Sequence, residues 1–215
     1  MKKKLLIFDL DGTIADTIWS IRDGVNLAMD KHGLPRHDYE KIRSSIGNGA
    51  RELIRLCVPE EKRSDAGFVS RVYADYDELY AQTYANVDGC YPEMYEVLHE
   101  LHNRGYVLAV LSNKQDSYVK KIIEILFPDG IFSFVAGQTE LPKKPDPTVP
   151  LMIAQSFCVL PEACAFIGDS DVDVLTAKNA GMTAVACSWG YRPREALEGA
   201  EYIIDEAQEL LGIFE

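Results

Sequence analysis

Three aspartates follow the first apolar run of the chain and stand unusually close together. In the stretch KKKLLIFDLDGTIADT, Asp9, Asp11 and Asp16 surround Gly12 and Thr13. Neighbouring carboxylates repel one another, and an isolated carboxylate in a dry site tends to take up a proton. The pattern therefore predicts that a positive charge lies beside this segment.

Two other apolar runs also end in polar side chains. YVLAVL leads into Ser112 and Asn113, and CAFIG leads into Asp169, much as LLIF leads into Asp9. In an open parallel sheet the carboxyl ends of the strands share one edge, where ligands bind. Residues far apart in sequence are therefore expected to meet there, and agreement at three places is stronger evidence than any single tripeptide.

Short apolar runs alternate with helical patterns over most of the chain. The runs predict strands at residues 5–8, 106–111, 132–136, 164–168, 183–187 and 202–205. Helices are predicted at 92–105, 116–127 and 171–181, with Pro92 starting the first and Gly105 ending it. Strands separated by helices indicate a parallel sheet covered on both faces. The predicted fold class is α/β, with a Rossmann-like, doubly wound parallel sheet.

Residues 17–88 interrupt this alternation, because they contain helical patterns and no strand-like run. The longest pattern covers residues 64–87. Its apolar and aromatic side chains have close to helical spacing, and they are Phe68, Val69, Val72, Tyr73, Tyr76, Leu79 and Tyr80. This stripe is expected to be the core of a helix bundle. The chain is therefore predicted to form a core domain from residues 1–16 and 89–215 and a small helical domain from residues 17–88.

Four motifs, in the order DLDGTIADT, LSNK, KKPDP and GDSDVDVLTAKNAG, resemble those of haloacid dehalogenase-like phosphatases. Residues 17–88 look like the helical cap that many of these enzymes insert after the first motif. Within the family, the segments SIGNGARELI and WGYRPRE are most similar to phosphoglycolate phosphatases. The resemblance covers essentially the whole chain. It departs from the usual pattern at Glu93, where related proteins often have glycine.

The resemblance implies a phosphatase that acts on a small phosphorylated metabolite. Asp9 is expected to be the nucleophile, because a carboxylate is already ionised and its attack on phosphorus gives an aspartyl-phosphate. Asp11 is expected to be the general acid/base, which protonates the leaving alkoxide and then takes a proton from water. The DxDG segment alone fits a solvated turn equally well, so these roles depend on the other motifs.

A Mg²⁺ site is expected around the same carboxylates. The carboxylates of Asp9, Asp169 and Asp173, with the backbone carbonyl of Asp11, form an oxygen-rich set suited to Mg²⁺. The resemblance implies that Asp169 is a direct ligand, whereas Asp173 binds the ion directly or through water. Such an ion would also offset the repulsion between Asp9 and an anionic substrate.

Three further residues are expected to hold the phosphoryl group. The hydroxyl of Ser112 and the backbone N–H of Asn113 are suitable donors to its non-transferring oxygens. Lys144 is expected to stabilise the charge that builds in the transition state. Pro145 biases Lys144 to an extended backbone, in which Lys143 points the other way, so only one of the two lysines is expected to enter the site. The KPxP register of the family selects Lys144.

The helical domain is expected to decide which substrate is bound. Gly47, Asn48 and Gly49 allow a close backbone approach. Arg51 either pairs with a substrate carboxylate, which would suit 2-phosphoglycolate, or is a solvated helix residue. Ile46 precedes Gly47, where related hexose-phosphate mutases have a Lys-Gly pair.

Two groups of alternatives stay open at this point. The first alternative is another phosphoryl-transfer enzyme, such as a pyrophosphatase, a sugar-phosphate phosphatase or a phosphomutase. The second alternative is a non-catalytic binding module. The second is disfavoured, because a pure binding protein needs neither a nucleophile nor an acid/base. Dehalogenases of the same fold lack the aspartate that stands here at Asp11.

The composition excludes several partners. A formal net charge of −12 argues against nucleic acid or an anionic membrane surface as the main partner. No stretch approaches a membrane span. The five cysteines are scattered and odd in number, and are expected to be reduced and buried. We expect a cytoplasmic protein that is a monomer or a small homo-oligomer.

Overall fold

The structure is a computed structural model that describes residues 4–87 and 89–215 of the 215-residue chain. Residues 1–3, and residue 88 at the predicted domain boundary, lie outside the described residues. The backbone divides into two compact units. Residues 1–16 and 89–215 form one, here called the sheet unit, and residues 17–88 form the other, called the helical unit.

The sheet unit is built on six strands, and every neighbouring pair is parallel. In chain order they are β1 Leu5–Phe8, β2 Val107–Gln115, β3 Phe134–Gln138, β4 Cys164–Gly168, β5 Thr183–Cys187 and β6 Tyr202–Ile204. The spatial order is β3-β2-β1-β4-β5-β6, so the winding direction reverses between β1 and β4. Ligands of doubly wound sheets bind at such a reversal. The predicted α/β, Rossmann-like fold is confirmed.

Helices account for most of the remaining regular structure in the described part of the chain. The helical unit contains α1 Ile18–Lys31, α2 Tyr39–Ser45, α3 Ala50–Cys57 and α4 Ala66–Tyr80. The sheet unit contains α5 Met94–Asn103, α6 Asp116–Leu126, α7 Thr148–Ser156, α8 Asp171–Ala180 and α9 Glu209–Ile213. Three short 3₁₀ turns lie at Glu60–Lys62, Pro161–Ala163 and Arg194–Leu197.

β1 lies at the centre of the sheet, and all four of its residues are fully buried. A strand covered on both faces has an unbroken apolar sequence, which LLIF provides. Leu5 and Ile7 belong to a buried cluster that includes Ile153 of α7 and Ala177 of α8. The register places Phe8 beside Val110 of β2 and Ile167 of β4. The residues that follow these three positions therefore emerge at one edge of the sheet.

The predicted end of β2 is wrong. The strand continues to Gln115 and includes Ser112 and Asn113, which were expected to follow it. Its pairing with β3 is irregular between Leu111 and Gln115. The second pairing, Gln115 with Gln138, also explains why β3 extends past its predicted end. The pairing between β2 and β3 therefore sets the ends of both strands, and the local sequence does not specify this pairing.

Three helix predictions also differ from the structure. α5 begins at Met94 rather than at Pro92, and the intervening Glu93 has a left-handed backbone with φ 61°. α4 ends at Tyr80, well before the end of the predicted pattern. α7 was not predicted, because its sequence contains Pro150, which is tolerated only since it lies in the first turn.

In the helical unit, α1 and α3 both contact α4, and α2 contacts α1 and α3. The predicted core stripe of α4 is confirmed at Val69, Val72, Tyr76 and Tyr80, which are buried. The rings of Tyr76 and Tyr80 stack with centroids 5.4 Å apart. The other members of the predicted stripe are partly exposed.

All five cysteines are free thiols. Cys57, Cys164 and Cys187 are buried as predicted, whereas Cys158 is exposed, so the burial prediction is wrong there. Among the described residues, no helix has the length and apolar character needed to cross a membrane.

Candidate active site

Three buried carboxylates meet at the edge of the sheet where β1 and β4 end. Asp9 directly follows β1, Asp169 directly follows β4, and Asp173 lies in the first turn of α8. One carboxylate oxygen from each lies within 4.8 Å of the other two. The structure therefore brings together acidic residues that are more than 150 positions apart in sequence.

Burial and mutual repulsion make this cluster unfavourable without a positive charge. Burial raises the pKa of Asp9 to about 6, Lys144 opposes this shift, and the charges of Asp173 and Asp11 add to it. Burial, with the charges of Asp173 and Asp9, also raises the pKa of Asp169 well above its ordinary value. A cation among these groups would favour their ionised forms.

Lys144 supplies part of that positive charge. Its Nζ lies 2.9 Å from Oδ1 of Asp9 and 2.7 Å from Oδ1 of Asp173, and its side chain is only 3% exposed. Burial lowers the pKa of Lys144, but the attraction of Asp173 and Asp9 outweighs this effect and the net shift is upward. Lys143 is exposed, so the prediction that only one of this pair is directed inward is confirmed.

The side chain of Asn113 fixes the backbone of Lys144. Nδ2 of Asn113 donates to the carbonyl of Lys144 at 3.1 Å, and the N–H of Lys144 donates to Oδ1 of Asn113 at 2.9 Å. The Lys144–Pro145 peptide is cis. The sequence predicts a role only for the backbone N–H of Asn113, so this pairing of its side chain was not expected. A primary amide is suited to it, because it carries both a donor and an acceptor.

Asp173 is held by the start of α8. Its Oδ2 accepts from the N–H of Ser170 at 3.1 Å and from the Ser170 hydroxyl at 2.5 Å, which completes a capping box. Its Oδ1 accepts from Lys144. Both oxygens of Asp173 therefore already accept hydrogen bonds from the protein.

Asp169 is oriented by two loops. The N–H of Tyr191 donates to its Oδ2 at 2.6 Å, and the Thr13 hydroxyl makes a long contact of 3.4 Å with Oδ1. A Cβ added to Gly12 would lie 2.5 Å from Oδ2 of this carboxylate, and one added to Gly190 would lie 2.4 Å from it. Both positions therefore require glycine, and at Gly12 the φ of +83° adds a second reason.

Asp11 has a partner that the sequence analysis did not identify. Nζ of Lys114 lies 2.9 Å from Oδ1 and 3.3 Å from Oδ2 of Asp11. The side chains of Lys114 and Asp11 are 8% and 11% exposed. Lys114 is the last residue of the motif LSNK. Its position next to the predicted site residues Ser112 and Asn113 was the sequence signal that could have identified it.

The segment after β5 also contacts the first motif. Nε1 of Trp189 donates to the carbonyl of Thr13 at 3.2 Å, and the Tyr191 hydroxyl donates to Oδ1 of Asp16 at 3.1 Å. In the sequence, this segment was informative only through its resemblance to the family. Its role in positioning the first motif was therefore missed.

Ser112 lies at the same edge of the sheet. Its side chain is buried, and its Oγ accepts a hydrogen bond from the N–H of Lys114 at 3.3 Å. The buried Ser112 and Asn113 are thus close to the carboxylate cluster through Lys114 and Lys144. Their proposed contacts with a phosphoryl group stay predictions.

The four predicted substrate residues of the helical unit lie together where α3 begins. Gly47 has φ 116°, and Gly49 precedes the helix with φ 84°. Asn48 lies between them. Nη2 of Arg51 donates to the hydroxyl of Ser70 on α4 at 2.8 Å, and Arg51 is exposed. Their role in substrate binding stays a prediction.

The residues at the sheet edge fit a divalent cation. Hard cations such as Mg²⁺ prefer oxygen ligands, and the cluster offers carboxylate oxygens from Asp9, Asp169 and Asp173. One ammonium, that of Lys144, contacts two of these three carboxylates. A single positive charge does not balance three negative ones, so the arrangement is suited to a further cation.

Comparisons with known proteins agree with this geometry. A family model described as haloacid dehalogenase-like hydrolase matches residues 6–187. Phosphoglycolate phosphatase from Psychrobacter arcticus is 31% identical, and the alignment covers 95% of this chain and 96% of the relative. That of Mannheimia succiniciproducens is 32% identical over 98% of this chain and 97% of the relative.

A solved structure is similar over the same extent. It is described as a predicted phosphoglycolate phosphatase from Haemophilus somnus, with a TM-score of 0.92 and 28% identity. The match covers 100% of this chain and 99% of the other.

Proposed function

Because this chain belongs to the haloacid dehalogenase-like hydrolases and is a phosphatase of that family, we propose that it hydrolyses a small phosphomonoester through an aspartyl-phosphate on Asp9, with Mg²⁺ as cofactor. One observation carries the proposal. The buried Asp9 contacts the ammonium of Lys144 at the sheet edge that also holds Asp169 and Asp173. Such an arrangement suits a carboxylate that must attack an anion.

In the first step, an oxygen of Asp9 attacks phosphorus and the bond from phosphorus to the ester oxygen breaks. Asp11 gives its proton to that oxygen, so the leaving group departs as a neutral hydroxyl. In the second step, Asp11 takes a proton from water, the water oxygen attacks phosphorus, and the bond to Asp9 breaks. Inorganic phosphate leaves, and both aspartates return to their starting states.

Other residues hold the phosphoryl group during these steps. The Ser112 hydroxyl and the Asn113 N–H donate to its non-transferring oxygens, and Lys144 stabilises the charge spread over them. The Asn113 side chain, which binds the Lys144 backbone, keeps two of these donors in register. Ordered donors of this kind do not need to reorganise when charge develops.

Asp9, Asp169 and the Asp11 carbonyl would hold Mg²⁺, which when bound supplies Lewis-acid stabilisation of phosphoryl charge. Hydrogen bonds from Lys144 and Ser170 already occupy both oxygens of Asp173. Within the described part of the chain, Asp169 accepts only two, neither from a charged group. This difference supports direct contact of the ion with Asp169 and contact through water with Asp173.

The substrate proposal is 2-phosphoglycolate. It is supported by full-length relatives that bear the name phosphoglycolate phosphatase. In the helical unit, Gly47, Asn48, Gly49 and Arg51 are the residues proposed to contact it. The proposed partner is therefore a small anionic metabolite.

A panel of phosphate compounds tests the reaction. The purified protein with Mg²⁺ should release inorganic phosphate from 2-phosphoglycolate faster than from pyrophosphate or hexose phosphates, and EDTA should stop the release until Mg²⁺ is restored. Interconversion of sugar phosphates without phosphate release would instead identify a mutase.

The nucleophile is tested by substitution. Asp9→Asn should lower kcat by a factor of about 10⁴ or more, because the amide cannot attack phosphorus at a useful rate. Circular dichroism should show an unchanged fold, since the side-chain size is kept. Asp16→Asn is the matched control in the same segment, and an equal loss in both variants would contradict the role of Asp9.

A further inference from the structure

We propose that Lys114 determines specificity by binding a carboxylate on the leaving group of the substrate. This inference rests on the proposed phosphatase function and names the residue of the sheet unit that would recognise an acidic alcohol such as glycolate.

The buried Lys144 and the partly buried Lys114 at the sheet edge contact different aspartates. Lys144 lies between Asp9 and Asp173, so its charge serves the nucleophile and the phosphoryl group. Lys114 contacts Asp11, which faces the ester oxygen in the proposed reaction. Attacking and leaving oxygens are roughly in line across phosphorus. Lys114 therefore lies on the leaving-group side.

The distances place a substrate carboxylate within reach of Lys114. Both oxygens of Asp11 lie within 3.3 Å of Nζ. An acid that protonates the ester oxygen lies about 2.7 Å from it, so Nζ is at most about 6 Å from that oxygen. In 2-phosphoglycolate one CH₂ separates the ester oxygen from the carboxylate, which puts the carboxylate oxygens about 3 Å from the ester oxygen. When the CH₂ group is directed toward Lys114, one of them can reach Nζ at about 3 Å, which is an ion-pair distance.

The surroundings of Lys114 make such a contact strong. Its side chain is only 8% exposed, and interactions between charges are less screened by water in a buried site. A lysine ammonium carries three hydrogens, so it can donate to Asp11 and to a ligand carboxylate at once. An alcohol without a carboxylate would lack this second contact.

A comparison of two esters in several variants tests the inference. The esters are 2-phosphoglycolate and ethyl phosphate, which has the same length but no carboxylate. The measured quantity is the ratio of their kcat/KM values in the presence of Mg²⁺. Lys114→Met should lower this ratio by about 10- to 100-fold, as expected for the loss of a charged hydrogen bond. Lys114→Arg should restore most of it, because the positive charge returns.

The ratio separates recognition from other effects of the substitution. If Lys114 only orients Asp11, Lys114→Met lowers kcat/KM by the same factor for both esters. The ratio then stays constant, which overturns the inference. Lys121→Met, at an exposed lysine of α6, is the control and should leave the ratio unchanged.

Failure of the proposed function would look different. If the wild-type protein hydrolyses neither ester, the phosphatase reaction on small esters is contradicted. If it hydrolyses both and Lys114→Met keeps the wild-type ratio, the reaction stands and the inference is wrong.

Discussion

Asp9 and Asp11 are close in sequence but have different partners. Asp9 contacts Lys144 and lies within the carboxylate cluster, whereas Asp11 contacts Lys114. Two carboxylates in different environments can take different chemical roles. The separate ion pairs show that the two carboxylates have different surroundings, whereas the assignment of Asp9 to attack and Asp11 to proton transfer is our proposal.

The role of Asp11 can be tested through the leaving group. Asp11→Asn removes the acid, so ethyl phosphate, whose alkoxide is a poor leaving group, should lose about 10² to 10⁴ in kcat/KM. p-Nitrophenyl phosphate should lose far less, since its phenolate departs without a proton. Steady-state kinetics with both esters measure the difference. Asp16→Asn, the matched control, should not change the preference, and equal losses for both esters in Asp11→Asn would remove the case for an acid.

The sequence predicted the acidic residues of the site and one of their basic partners, Lys144, but not the other, Lys114. The aspartates lie in short motifs directly after strands, so local pattern and family resemblance both point to them. The Lys114–Asp11 pair joins residues 103 positions apart, and no local pattern specifies it. The same is true of the Asn113 side chain, whose partner is a backbone amide on a different loop.

At the scale of elements, the start of α5 contains a strained residue. Glu93 has φ 61°, a conformation that costs a residue with a Cβ about 1–2 kcal/mol. Glu93 is the residue at which the sequence departs from the pattern that the family resemblance implies, and its backbone conformation is one that favours glycine.

Replacing Glu93 by glycine should therefore stabilise the protein. We expect Glu93→Gly to raise the free energy of unfolding by about 1 kcal/mol, as measured by urea denaturation. Glu96→Gly is the matched control. It lies in α5 with helical geometry, and should lower the free energy of unfolding by about 1 kcal/mol. A loss of stability in both variants would contradict the strain at Glu93.

The middle of α5 carries a pH-dependent ion pair. Nε2 of His99 lies 2.5 Å from Oδ2 of Asp129, and Nδ1 lies 2.8 Å from the carbonyl of Tyr95. Burial lowers the pKa of His99, but the hydrogen bonds to Asp129 and Tyr95 outweigh it and the net shift is upward from 6.5. Both ring nitrogens face acceptors, so the structure favours the imidazolium.

Because folding raises the pKa of His99, its imidazolium stabilises the folded protein. This stabilisation is complete below the unfolded-state pKa and is lost as pH rises through the folded-state pKa. His99→Gln should therefore destabilise the protein below about pH 6 by roughly 1 kcal/mol or less, and have little effect above about pH 9. Thermal unfolding at both pH values measures this difference. His102→Gln, on the exposed side of α5, is the control. A His99 pKa below 6.5 in an NMR titration would contradict the prediction.

Strand positions were easier to predict than their ends. β1, β4 and β5 match their predicted bounds, because each is a short apolar run that stops at a polar residue or a turn. β2 and β3 do not, since their last pairing follows an irregularity between Leu111 and Gln115. The position of Ser112 and Asn113 within β2 depends on this tertiary pairing and has no signal in the local sequence.

At the scale of the whole molecule, the carboxylate cluster is a source of instability that a cation should relieve. The chain has a net charge of −12, and the cluster concentrates buried negative charge at one edge of the sheet unit. The pKa values of Asp9 and Asp169 are both raised by burial, so their ionised forms disfavour the folded state in the absence of a cation.

Mg²⁺ should therefore stabilise the folded protein even without substrate. At a concentration 100 times its Kd, the ion should add about 2.7 kcal/mol, which corresponds to a rise in Tm of about 5–10 °C. Asp169→Asn should raise the Tm of the metal-free protein, because one buried charge is removed, and should abolish most of the Mg²⁺ effect. Asp171→Asn, at an exposed residue two positions further along the chain where α8 begins, should keep the full Mg²⁺ shift. Calorimetry with and without EDTA measures all three proteins, and an equal Mg²⁺ shift in wild type and Asp169→Asn would show that the ion binds elsewhere.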